Sequence, residues 1–183
     1  MEVRTIGLNK IFVAEIGSYD NETMPAKNTQ TATNWFDIGD VYQSTAKLTD
    51  DDANIVTHKS ETSKKKIVLT EPGDCKLELS LMDPSLDELV RIFGGTKVAI
   101  NEGSETKYKW TRPRNYQGKA FALIAIPEDG DALLNPACIV VPKFEITYSA
   151  TGIMLCPMTI YLNGEVTFSP EYSKTNTPLY SVS

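Results

Sequence analysis

Cations and aromatic rings alternate in one stretch of this 183-residue chain: Lys107, Lys109, Arg112, Arg114 and Lys119 are interleaved with Tyr108, Trp110 and Tyr116. Ammonium and guanidinium groups beside flat rings could track a phosphate backbone and stack bases, as single-strand binders do. Lys64-Lys65-Lys66 forms a second basic run. The charge balance argues the other way. Eighteen Lys and Arg face 24 Asp and Glu, a net charge of −6, whereas gripping nucleic acid needs a basic surface. The alternation Lys107-Tyr108-Lys109-Trp110 also reads as a strand with one wet and one buried face. The cations are then expected to pair with an acidic patch on a neighbouring subunit.

Other chemistry finds little support. The one histidine, His58, lies in a strand-like segment, and the expected reading is an exposed strand residue. No G-x-S-x-G elbow is present. No two of the 11 glycines are separated by a single residue, so a dinucleotide fingerprint cannot occur. Gly118-Lys119 is followed by Ala120, which departs from the phosphate-binding loop pattern. Asp50-Asp51-Asp52 and Glu128-Asp129-Gly130-Asp131 read as solvated acidic turns without calcium-loop spacing. Carboxylate pairs of the glycosidase kind are defined only by spatial separation, and nothing nominates one here. Cys75, Cys138 and Cys156 are widely spaced and read as small buried hydrophobes. The expectation is therefore no catalytic residue, no cofactor and no metal site.

The elements that would position these groups are mostly β. Hydrophobic residues make up 41% and charged residues 23%, the composition of a globular chain and not a disordered one. Lys76 to Leu81 and Lys143 to Tyr148 alternate strictly, and Ala120 to Ile126 is apolar on both faces, so it should be central and covered on both sides. Further strands are expected at Arg4–Ile16, Phe36–Leu48, Ile55–Ser60, Lys65–Leu69, Val98–Asn101 and Lys107–Thr111. Asn163-Gly164 between Thr159–Leu162 and Glu165–Phe168 predicts a tight hairpin. One helix, about 84–93, follows from the stripe Leu86, Leu89, Val90 and Phe93. Ser85 and Glu88 form a capping box, with Asp83 before Pro84 as an alternative start, and Gly94 ends the helix.

The fold class is thus a mainly β barrel or sandwich of antiparallel strands with one short helix, spanning 1–183 as one domain. Two polar segments, 17–34 and 169–183, read as arms that pack on another subunit, or else as an idle loop and a frayed terminus. The amino terminus has no apolar leader core and no run approaches bilayer length. Synthesis in the cytoplasm and no membrane association are expected.

Specific residues then suggest a family. Trp35-Phe36-Asp37-Ile38-Gly39-Asp40-Val41-Tyr42, followed by Leu48-Thr49-Asp50-Asp51-Asp52-Ala53 and His58-Lys59-Ser60-Glu61, resembles the early part of bacteriophage major tail tube proteins. Leu79-Ser80-Leu81 with Pro84 through Thr96 is similar to the strand and helix that follow in that family. The resemblance covers about half the chain, in pattern and order of elements. It implies a β-barrel-like fold shared with the type VI secretion tube protein, and a virion subunit that stacks as hexameric rings into a hollow tube. Its partners would be further copies of itself and other tail proteins, with DNA passing through the lumen without sequence-specific binding. The arm residues that would bridge stacked rings are Tyr19, Asn21, Met24, Pro25 and Asn28. The alternatives are another homo-oligomeric virion or secretion-tube component, or a monomeric small-molecule-binding β-barrel.

Overall fold

Strand β10 (Lys119–Ile126) is the spine of the molecule. Its sequence, all apolar from Ala120 on, fits a strand flanked on both edges: it pairs antiparallel with β2 (Lys10–Ala14) on one side and β12 (Ala132–Pro142) on the other. Its two faces are both buried, one among Phe121, Leu123 and Ala125, the other among Ala122, Ile124 and Ile126. The computed structural model describes residues 5–17, 34–59, 66–102, 104–145 and 152–169. The proposed arm residues Tyr19, Asn21, Met24, Pro25 and Asn28, and the tail beyond Ser169, lie outside the described residues, as do Lys64, Lys65 and Ile146 to Tyr148.

The main sheet is antiparallel throughout. From one edge to the other it runs β3 (Phe36–Asp37), β2, β10, β12, β13 (Leu155–Asn163), β7 (Cys75–Met82) and β4 (Lys47–Asp50), with β14 (Thr167–Ser169) also on β12. A two-residue pair, β1 (Thr5–Ile6) with β11 (Asp129–Gly130), sits apart. Two ribbons make up the rest: β5 (Asn54–Lys59) with β6 (Lys66–Glu71), and β8 (Thr96–Glu102) with β9 (Glu105–Thr111). The fold class is the expected antiparallel β architecture with, among the described residues, one helix, α1 (Leu86–Phe93).

The sheet rolls without closing into a barrel. β3 and β4 are consecutive in the chain yet lie at opposite edges. Ile38 N donates to Ile11 O of β2 at 3.1 Å, while Tyr42 N donates to Ser80 O of β7 at 2.7 Å and Met82 N donates to Asp40 O at 2.8 Å. Four residues reach about 14 Å at most, so the two edges face each other across this short strap. The expected continuous strand from Phe36 to Leu48 is therefore broken. Gly39 takes φ 116° and Ser44 φ 61°, both outside strand geometry.

The helix starts at the capping box. Ser85 Oγ accepts from Glu88 N at 3.3 Å and Ser85 N donates to Glu88 Oε2 at 2.7 Å. The Asp83-Pro84 start is not used: Asp83 Oδ1 accepts from Met154 N at 2.9 Å. Leu89, Ile92 and Phe93 are buried in the core, Leu86 packs against it half-buried, and Val90 is half-buried outside it, so Ile92 takes its place in the stripe. Fully burying side chains of this size stabilises by about 1.5–3 kcal/mol each, enough to fix α1 over one end of the rolled sheet.

Two strand assignments change. No strand is expected over 132–142, which carries Pro136 and Pro142, yet β12 is the longest strand among the described residues. The predicted hairpin at Asn163-Gly164 is instead a bulge in a nearly continuous run. β13 pairs with β12 from Pro142↔Met158 to Ala137↔Asn163, and β14 resumes on the same edge at Leu134↔Thr167. Three residues on one side oppose two on the other. The opposite edge of β12 is bulged too, between Phe121↔Cys138 and Leu123↔Asn135. Pro136 sits inside that irregularity, where a missing N–H breaks no ladder bond. Buried Asn135 clasps the bulge, its Nδ2 donating to the carbonyls of Asn163 and Glu165, each at 3.1 Å.

Candidate functional site

The helix end gathers most of the basic–aromatic stretch, and it does so around Phe93. Trp110 and Tyr116 lie 5.9 and 5.6 Å from the Phe93 ring, with Phe144 at 5.8 Å. Trp110 Nε1 donates to Gly94 O at 3.0 Å and Tyr116 Oη donates to Val140 O at 3.1 Å. Burial raises the Tyr116 phenol above its ordinary range. Arg112 stacks over Phe93 at 5.5 Å and Phe144 at 5.9 Å. Lys119 Nζ donates to Arg91 O at 3.0 Å, where a cation complements the carbonyl end of a helix dipole. Trp110 and Tyr116 thus use their rings and polar atoms within the subunit, which takes two of the three aromatics away from base stacking.

The β8–β9 ribbon springs from this end. On one face Trp110 opposes Lys97 and Tyr108 opposes Ala99; Lys97 caps the Tyr108 ring at 4.5 Å and bridges Asp87 at 2.8 Å. The other face carries the cross-strand pairs Val98↔Lys109 and Ile100↔Lys107. Val98 is 50% and Ile100 41% exposed. A solvent-facing pair of branched aliphatics flanked by two lysines results.

The opposite end of the sheet is open. A cavity of about 680 Å³ lies there, floored by Leu8, Leu48, Leu77, Leu133 and Phe168 and edged by Glu128 and Asp131. Along β10 it begins at Ala125, while the helix covers Phe121. The eight residues of β10 place its two ends about 23 Å apart.

The second ribbon rises beside this cavity. β4 and β7 pair through Asp50↔Cys75, and four residues further along each strand Asn54 faces Glu71, so the pairing resumes in the same register. Asp51 N donates to Asp74 O at 2.9 Å between them. β4–β5 and β6–β7 form one long ribbon whose inner half belongs to the sheet and whose outer half projects. Ile55, Ile67, Val68 and Leu69 on the outer half are between 50% and 64% exposed. His58 lies on this ribbon and is exposed. Asp51 of the first acidic turn is held by Lys76 at 2.8 Å, which raises the lysine's pKa.

The cysteines are free thiols. Burial pushes Cys138 up to about 12 and Cys156 up to about 11, while Cys75, also helped by Asp50, rises to about 11. Each thiol is therefore held protonated and a poor nucleophile. Sequence reading located the basic cluster and the helix stripe. It missed the cavity, whose floor comes from five separate segments with no local signal, and it missed the apolar exposure of the ribbons. No model of a known protein family matches this chain, and no curated protein matches its sequence.

Proposed function

We propose that this chain is a structural subunit of a phage tail tube, which joins copies of itself into stacked hexameric rings and leaves a hollow conduit for DNA. One observation carries the reading. The outer half of the β5–β6 ribbon exposes four large aliphatic side chains with no core of its own beneath them. An isolated two-stranded ribbon is at best marginally stable in water, and exposed apolar strands invite pairing; a neighbouring subunit supplies the missing contact. The tail-tube family adds the geometry of the assembly through the resemblance at Trp35 to Tyr42 and at Leu79 to Thr96. A net charge of −6 suits a conduit, since an acidic wall repels phosphates that a basic wall would retain. In this reading the other partners are tail proteins at the tube ends, and no side chain performs catalysis.

Negative-stain microscopy of the purified chain, alone and with other tail components, tests it. Rings or tubes are expected. A strictly monomeric species at high concentration, with no tubes in the presence of those components, overturns it. The cavity favours a second reading, a small-molecule-binding barrel, because an apolar floor with polar groups at the mouth is the usual form of a ligand site. A monomer whose melting temperature rises with a panel of small apolar ligands would support that reading instead.

A further inference from the structure

We infer that copies of this chain associate head to tail, the Val98–Ile100 face of the β8–β9 ribbon of one copy lying over the acidic-edged cavity of the next. The inference deepens the assembly reading, on which it rests for the identity of the partner, by naming the two surfaces that meet. Each surface is apolar at its centre, and the flanking charges are of opposite sign. The ribbon offers two exposed aliphatics between Lys107 and Lys109. The cavity offers a leucine and phenylalanine floor between Glu128 and Asp131. Apolar contact supplies the attraction, and opposite charges set orientation and encounter rate.

The ribbon is rooted at the helix end by Trp110 on Gly94 and by Lys97 on Asp87, whereas the cavity begins further along β10, at Ala125. A contact between two different patches is heterologous, so it leaves a free ribbon at one end and a free cavity at the other, and growth continues until a ring closes or a filament forms. Gly95 keeps the ribbon at its fixed angle. Its φ is 92°, and a Cβ there would lie 2.2 Å from Thr111 O.

The test uses the full chain and two surface variants, followed by sedimentation velocity over a concentration series, with circular dichroism to check folding. Lys107→Glu with Lys109→Glu disables the ribbon, and Leu48→Lys disables the cavity floor. Wild-type protein is expected to grow with concentration and to shrink at high salt. Each variant alone should weaken association by about tenfold or more. Mixing the two variants should give a dimer and nothing larger, because one intact ribbon meets one intact cavity and both outer surfaces are dead. Equal association by wild type and both variants overturns the inference, as does a mixture that gives no dimer from two folded variants. The two readings fail separately. If wild type and variants alike form tubes under the microscope, the inference falls and the tube reading stands. If head-to-tail chains sensitive to both variants form but no ring or tube ever does, the inference stands and the tube reading falls.

Discussion

At position 135 a polar side chain is buried in the middle of the sheet. Asn135 gives both of its amide hydrogens to carbonyls on either side of Gly164 and leaves its own Oδ1 without a partner. A buried acceptor left unpaired costs stability, so the residue earns its place through the two bonds it donates. Gly164 takes φ 75° with open space where a Cβ would sit; backbone geometry, not crowding, selects glycine there. Asn135→Ala removes the clasp and opens a small void. A loss of about 2 kcal/mol is expected, read from urea denaturation. An unchanged midpoint would mean that the bulge holds itself. The same residues explain a misreading. Asn-Gly between two alternating runs carries the local signature of a hairpin, but that signature is blind to the strand alongside. Here β12 already occupies the edge that a returning strand would have taken.

At the scale of elements, the long ribbon formed by β4–β5 and β6–β7 changes character halfway along. Gly73 marks the junction: a Cβ there would lie 1.9 Å from Asp51 O and 2.5 Å from its carbonyl carbon, so the two strands close up only because residue 73 has no side chain. Gly73→Ala must push the backbones apart. Amides of β5 and β6 should then exchange faster with deuterated solvent, while those of β10 and β12 keep their protection. Unchanged exchange in the ribbon would show that its outer half is independent of the junction. The elements best read from sequence were those with undisturbed periodicity. β7 shows its alternation directly in Leu77, Leu79 and Leu81 turned inward, and α1 shows its stripe and its cap. β12 was hidden because its prolines look like breakers, although Pro136 lies in a bulge and Pro142 at the last position. Phe36 to Leu48 was misread for the opposite reason. Its residues favour strands, but the demands of spanning the mouth of the sheet override local preference.

Across the whole molecule, the three thiols link stability to pH. Cys138 and Cys156 have folded-state pKa values near 12 and 11 against an ordinary 9.0. Burial disfavours the thiolate, so the native state keeps protons that the unfolded chain releases. That stability is fully present below pH 9 and declines as pH rises from about 9 towards 12. Urea midpoints should therefore fall as pH is raised above 9, and Cys138→Ala should flatten the decline. An identical slope in that variant would assign the alkaline loss to lysines and tyrosines instead. The candidate surfaces were only half legible because they exist at this scale alone. The cations of the ribbon can be read one by one, but the cavity appears only when β1's neighbour Leu8, the strap, β7, β12 and β14 converge.

The strap between β3 and β4 has a consequence for how the protein withstands proteases. Asp40, midway along the Ile38–Tyr42 stretch, is exposed, and this one peptide stretch tethers both margins of the sheet. A single nick there would untie the two margins at once. It would leave two raw strand borders on one particle, each a template for uncontrolled aggregation, so the intact loop guards the molecule against its own stickiness.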